Sequence, residues 1–473
     1  MKNIRSLRRG GRGSFGLAGR LVAATSLTAS LVALGACSVD DLLVVEDIDV
    51  ATPESVQDPS ALGVVYAGAL AELQNSYTCV DCTVTLPGLM ADELRDIDTF
   101  PTRIEVDQRA VQENNTTVQE WYRRLHRARA AAGRATAAFA EFNPTDVRRS
   151  ELHSMHGFAL VHLAENFCNG LAISTFDGTP TFGDPLTVDD VFVRAIAQFD
   201  SALSFAPAAS AEQNLAAVGK GRALLNRADF AGAATAVANV PVTFKYYINS
   251  SENSTRQNNG IHTNVGPLSK RFSIADVDGG NGLPFRSEGW DRSAPTTGDV
   301  RIRWYRDAGT GQDGVSPPFY TLKYPSRATD VPLAEGVEAQ LIIAENQLRT
   351  GGNWLATLNA LRANSALISG APITSETGQA VIPLAPLTDP GTQTARENLL
   401  FKERAYWLFL TGHRLGDLRR LVRAPYSRGA ETVFPTGPYQ GAAGGSMGTD
   451  VNFPITLDEL NNPRAPRCTN RNA

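Results

Sequence analysis

The chain has 473 residues, with 44 Lys and Arg against 49 Asp and Glu, a formal charge of −5. Its first 36 residues hold six basic groups (Lys2, Arg5, Arg8, Arg9, Arg12, Arg20) and no acid, so the remainder carries 38 basic against 49 acidic residues, or −11. A body that acidic lacks the basic footprint that phosphate contacts need, which excludes general nucleic-acid binding. Hydrophobic residues at 42% with 20% charged is the balance of a folded chain rather than a disordered one.

Residues 1–36 read as a lipoprotein signal peptide. The basic start leads into an apolar run, residues 21–34, too short to span a ~30 Å hydrocarbon core comfortably as a helix. Leu34-Gly35-Ala36-Cys37 then matches a lipobox: small residues before the cysteine admit the chain to a peptidase, and the Cys37 thiol takes a diacylglycerol. Each buried acyl CH₂ contributes roughly 0.8 kcal/mol, so several chains on one cysteine anchor a folded body to a membrane. Residues 37–60 are acidic (Asp40, Asp41, Glu46, Asp47, Asp49) and read as a tether. Four cysteines remain: Cys79, Cys82, Cys168 and Cys468. In an exported chain they suggest two disulfides, with three connectivities open. Cys79 and Cys82 form a CxxC that a redox or metal site could use, but it falls in a loop before Pro87 and no second CxxC completes a zinc site.

Helical periodicity dominates the next stretch, 61–240. Asp58-Pro59-Ser60 caps a helix over 61–74. Helices are predicted over 118–142, with Trp121, Leu125 and Phe139 on the buried face, over 151–167, and over 188–205. His153 and His156 lie one turn apart in the second of these, with His162 and Glu165 further on; hydrogen-bonded helix histidines are expected there rather than a metal site. Two helix–turn–helix units follow. One runs through 219–225 and Ala228-Asp229-Phe230; the other covers 337–348, turns at Gly351-Gly352-Asn353-Trp354, and returns through Leu355, Leu358 and Leu361. Both resemble tetratricopeptide hairpins, which bury by stacking the faces that neither helix hides alone.

Residues 241–330 differ, being rich in Gly, Asn, Ser and Pro, with short β-prone pieces at 242–248 and 300–305. Seven aromatics fall between Phe285 and Tyr324, about twice the 8% average of the chain. An irregular, aromatic-rich insertion on a helical scaffold is the expected ligand surface. Gly309-Thr310-Gly311-Gln312-Asp313-Gly314 spells GxGxxG, yet it runs into Val315-Ser316-Pro317-Pro318 and cannot open the helix a dinucleotide loop requires. Asp276-Val277-Asp278-Gly279 has the start of a calcium loop, but Ser287 stands where the closing acid belongs. No metal or cofactor is expected.

Residues 331–473 carry the most specific pattern. Glu403-Arg404 opens an apolar run, 405–410, and is followed by Gly412-His413-Arg414-Leu415-Gly416-Asp417-Leu418-Arg419-Arg420. This resembles the hallmark of the SusD/RagB family of outer-membrane nutrient-binding lipoproteins, in which ER and an apolar helix precede G-x-R-x-x-DL-x-R. Phe453-Pro454-Ile455, Glu459 and Asn462-Pro463 resemble the closing segment of that family, and residues 121–129, 159–170 and 337–362 resemble its other helical segments. Thr411, where the family usually has Glu, and Cys168-Asn169-Gly170, where it often has Phe-Gly, depart from it. From the residues alone, Gly412 ends the apolar helix with positive φ, and Glu403, Arg404, Arg414 and Asp417 are expected to form one ion-pair network that locks two helices together.

The resemblance implies a mostly α-helical protein of tetratricopeptide-like hairpins with an irregular, loop-rich insertion containing short strands. It implies a lipid anchor at the outer membrane and a SusC-like TonB-dependent transporter as partner. The expected role is capture and delivery of an oligosaccharide or peptide without covalent chemistry. Sugar C–H faces stack on aromatic rings, which nominates Trp290, Trp304, Tyr305 and Tyr320, with Tyr77 from the preceding loop region. The alternative is a helical-repeat scaffold lipoprotein that organises an envelope complex and binds no small ligand.

Overall fold

Several of the helices in this chain start where a side chain takes over an orphaned backbone amide. In the computed structural model, which describes residues 58–176, 179–368, 384–464 and 466–473, Asn115 accepts from the Val118 amide, Ser210 from Gln213 and Thr392 from Ala395. Thr187 and Asp190 form a reciprocal capping box. Cys37, the export segment and most of the tether lie outside the described residues.

The principal helices are α1 (Leu62–Tyr77), α2 (Thr85–Met90), α3 (Pro101–Asp107), α4 (Thr116–Phe142), α5 (Arg148–Asn166), α6 (Val188–Phe205), α7 (Ala211–Asn226), α8 (Phe230–Val237), α9 (Gly336–Thr350), α10 (Trp354–Ala363), α11 (Gln393–Trp407) and α12 (Arg414–Val422). The fold is mostly α, as expected. Helix α1 packs on α4, and from α4 each packs on its successor through α8: α4 on α5, α5 on α6, α6 on α7, α7 on α8. Then α8 packs on α9 and α9 on α10. Close approach in this stack depends on missing side chains. Phe199 of α6 fills space beside Gly157 of α5 and Gly219 of α7, where an added Cβ would come within 2.7 and 2.3 Å of its ring.

Strands are short, and those of three or more residues mostly occupy the interval between α8 and α9. These are β1 (Leu94–Asp96), β2 (Lys245–Ile248), β3 (Phe272–Ile274), β4 (Gly289–Asp291), β5 (Asp299–Arg306), β6 (Phe319–Thr321) and β7 (Val331–Glu335); two-residue pairs lie between α5 and α6. Antiparallel pairs join β1 to β3 and β7 to β2, and a three-stranded sheet has the order β6-β5-β4. The GxGxxG segment is the connection between β5 and β6, with the Gly311 amide on the Ser316 carbonyl and no helix after it. Asp276 closes locally on Ser287, whose amide and hydroxyl both donate to it at 2.9 Å.

The largest core runs from α1 to Phe453 and Ile455. Trp121, Phe167 and Phe453 meet with ring centroids 5.0 to 5.8 Å apart, so the C-terminal segment lies against the end of α5. The disulfides pair Cys79 with Cys82 and Cys168 with Cys468. No helix among the described residues is long and apolar enough to cross a membrane.

Candidate functional site

The hallmark segment proves to be a buried junction. Helix α11 stops at Trp407, earlier than the apolar run suggests, because Leu410 and Gly412 both take positive φ, +52° and +71°. Every carbonyl in the link accepts a side-chain donor. Thr411 donates to Leu408, Lys323 to Phe409, Tyr324 to Leu410, Tyr77 to Thr411 and Arg222 to Gly412. The Leu410 amide in turn donates to Glu93 at 2.9 Å. Burial pushes Glu93 up to about 8 and Lys323 down to about 8.

The four charges expected to form one network divide. Arg404 pairs with Asp417 at 2.8 and 3.0 Å, and Arg420 extends that pair to Glu345 of α9. Arg414 instead grips Asp92 at 2.6 and 2.7 Å, and Glu403 takes Arg301 of β5 and Arg362 of α10. Beside them Arg222 binds Glu165, and its third nitrogen lies 2.8 Å from His413, whose ring faces Glu338. The pattern ties the C-terminal helices to α5, α7, α9, α10, β5 and the segment before β1. The expectation of one four-residue network is corrected: Arg404 and Asp417 do join α11 to α12, whereas Arg414 and Glu403 take buried partners from across the fold.

The nominated aromatics are mostly core residues. Tyr77, Trp290 and Tyr320 are 0% exposed and Trp304 is 9%. Tyr77 donates to the carbonyls of Pro332 and Thr411, Trp290 to Pro295 and Trp304 to Arg286. None of these four rings offers a face to a ligand, which overturns their nomination; Tyr77 and the two tryptophans spend their donors on backbone carbonyls instead. Tyr305 is half-buried against Tyr320, with centroids 5.7 Å apart, and Arg292 near its ring.

Among the exposed rings, which include Phe176, Phe182 and Tyr247, Phe100 is half open to solvent at the N-cap of α3. Its ring has the guanidinium carbons of Arg103 and Arg271 at 4.8 and 5.2 Å from the centroid. Both arginines bind one Asp98 oxygen at 2.6 Å, and Arg103 also holds Asp81 with two bonds, 3.0 and 2.7 Å. Burial alone would raise Asp98; the Thr99 amide and the two guanidinium groups outweigh it and hold the carboxyl below its usual range. Two further loops converge here on the one that holds Ile97 and Phe100. The Ile97 amide donates to Arg271, Asp313 to Ile97 and Gln312 to Lys270. Leu268 and Val315, on these same loops, are 55% and 68% exposed. The result is a surface with an open aromatic ring, exposed aliphatics and oriented guanidinium and carboxylate groups. It suits non-covalent capture of a ligand with apolar faces and polar edges. Among the described residues no group of three His, Cys, Asp or Glu side chains is placed to hold a metal.

Composition favoured the Trp- and Tyr-rich interval, so the sequence reading passed over Phe100. The usable signal was Thr99-Phe100-Pro101: an apolar residue stranded before a helix-opening proline has no neighbouring turn to hide against. A cleft of about 680 Å³ between α11 and residues 386–390 was a competitor. Its cations are already engaged, Lys402 with Glu288, Arg414 with Asp92 and Arg428 with Glu397.

No family model matches the sequence and no curated protein matches it. Solved structures do. A SusD superfamily protein from Parabacteroides distasonis has a TM-score of 0.61 at 13% identity, covering 86% of this chain and 98% of its own. A SusD-like carbohydrate binding protein from Bacteroides fragilis has a TM-score of 0.59 at 15% identity, covering 88% and 99%. B. fragilis NanU has a TM-score of 0.53 at 14% identity, covering 91% and 100%. The chain therefore has the SusD/RagB fold over nearly its whole described length.

Proposed function

We propose that this chain is a nutrient-binding lipoprotein of the SusD/RagB family. In this reading it is anchored at the outer membrane through Cys37 and captures an oligosaccharide or a peptide on the surface around Phe100. It passes that cargo, chemically unaltered, to a SusC-like TonB-dependent transporter. The observation that carries the reading is the fold, shared over 88% of this chain and 99% of the other with a protein described as a SusD-like carbohydrate binding protein. The lipobox and the hallmark around Arg404 and Asp417 support it from the sequence, and the Phe100 surface supplies the grip in this reading.

Affinity electrophoresis of the chain from residue 38 onward, in gels containing starch, xylan or pectin, tests capture, with a casein digest as the peptide arm. Retention of at least one of these is expected, and Phe100→Ala should weaken it about tenfold, equivalent to ~1.4 kcal/mol. Retention by none of them would favour the scaffold reading. Co-purification of the lipidated chain with a β-barrel transporter from detergent-solubilised membranes tests the partner, and incorporation of labelled fatty acid lost in Cys37→Ser tests the anchor.

A further inference from the structure

The bridge between Cys79 and Cys82 spans only two intervening residues, whereas Cys168 and Cys468 are 300 positions apart. Constraint of the unfolded chain grows with the loop enclosed, so the small ring contributes little to global stability by that route. Its surroundings nevertheless fix it closely. The Gly260 amide donates to Thr78 at 2.7 Å, and a Cβ at Gly260 would fall 2.3 Å from the Cys79 backbone. The Val80 carbonyl accepts from Asn264 at 2.7 Å and from Thr85 at 3.0 Å. Asp81, between the cysteines, points its carboxylate at Arg103.

We propose that the Cys79–Cys82 ring and Asp81 form a positioning device that sets the Arg103 guanidinium, and through it Phe100, in the geometry used for capture. The proposal rests on the reading of the Phe100 surface as the ligand face. The geometry is specific. Asp81 takes Nε and Nη2 of Arg103 in a two-pronged pair, which leaves Nη1 for Asp98 and orients the planar group against the Phe100 ring. A carboxylate on a free loop would pay conformational entropy for that pairing at each binding event; one on a closed ring has lost it beforehand. Asp81 and the two cysteines are positioning residues in this account and need not touch the cargo.

Hydrogen exchange on the ligand-free chain tests the device independently of any cargo. In Cys79→Ser/Cys82→Ser, amides of residues 98–104 should exchange at least tenfold faster while those of 116–142 keep their rates. Asp81→Asn, which leaves the disulfide intact, should reproduce the effect, and Asp81→Glu should restore part of it. Unchanged exchange at 98–104 in both the double variant and Asp81→Asn would overturn the proposal, and so would equal acceleration throughout the chain, which marks a merely structural bridge. On whichever of the starch, xylan, pectin or casein-digest matrices retains the unaltered chain, the double variant and Asp81→Asn should each lose three- to tenfold, and together no more than either alone. Failure of the unaltered chain on all four matrices would count against the capture reading, while the exchange result would still decide the positioning.

Discussion

At residue 404 a single guanidinium decides how two helices and α9 are held. Arg404 and Arg420 share Asp417, and despite burial they keep its carboxyl below the usual range. Removing one partner of such a buried group strands the other in a medium that cannot solvate it. Arg404→Ala should therefore cost about 3–5 kcal/mol in urea unfolding, and a loss under 1 kcal/mol would show that water replaces the missing arginine. A second residue-scale feature is a set of buried acids that face one another. Asp96 and Asp278 are pushed up to about 7, and Asp107 is raised too, in each case by burial first. Asp107 accepts from the Asp96 amide and from Tyr439 and faces the other two carboxyls. Their contribution is complete below the unfolded value near pH 4 and drains as pH climbs through 7. The depressed Asp417 acts in the opposite sense, losing its contribution as pH falls below ~4. Buried His126 and His156, pushed down to about 3, and His162, also lowered, act in this same opposite sense below about pH 6.5. The melting temperature should thus fall between about pH 6.5 and 8, and Asp107→Asn should flatten that slope. A curve that is flat in the unaltered chain would refute the assignment. The hallmark acids and bases were visible in the sequence, but their pairings were not. Arg414 finds Asp92 across 322 positions, and nothing local encodes that.

Elements with strong periodicity were legible almost to the residue. Helix α6 occupies the interval that Val191, Ile196, Phe199 and Leu203 define, because the stripe and the Thr187 cap agree. Helix α7 starts eight residues before the stretch that suggested it, since its first turns are capped by Ser210 rather than marked by apolar spacing. The strand interval was recognisable as irregular, yet the fate of its aromatics was not. A tryptophan that donates to a buried carbonyl looks, in composition, the same as one that stacks on a sugar. Helix packing adds a test at this scale. Gly219→Ala would push a methyl into Phe199, so a loss of about 1–3 kcal/mol is expected, measured by thermal unfolding. A combined Gly219→Ala and Phe199→Leu variant should recover part of it, and no recovery would place the strain elsewhere.

For the whole molecule the long disulfide matters most. Cysteine counting left three connectivities open, because pairing depends on the C-terminal segment returning to the end of α5. Phe453 bridges to Phe167 there, and Cys468 meets Cys168. Cys468→Ser should lower stability by about 2–5 kcal/mol, and a change confined to local exchange around residue 453 would show that the Trp121, Phe167 and Phe453 cluster suffices alone. The mostly helical class and the hairpin repeats were readable from pattern; how the last third closes on the first was not, since periodicity describes faces and not the faces they meet.

The link of residues 408–412 also sets an order in time. Its carbonyls receive Tyr77, Arg222, Lys323 and Tyr324, and Arg414 and Arg420 just beyond it neutralise Asp92 and Glu345. Until that late stretch of chain arrives, the earlier helices hold charges and hydroxyls that cannot be buried without it. Assembly of the scaffold therefore waits for a C-terminal keystone, a high-contact-order closure that is slow to nucleate. A chain that cannot bury those charges early stays pliable until its last third has arrived.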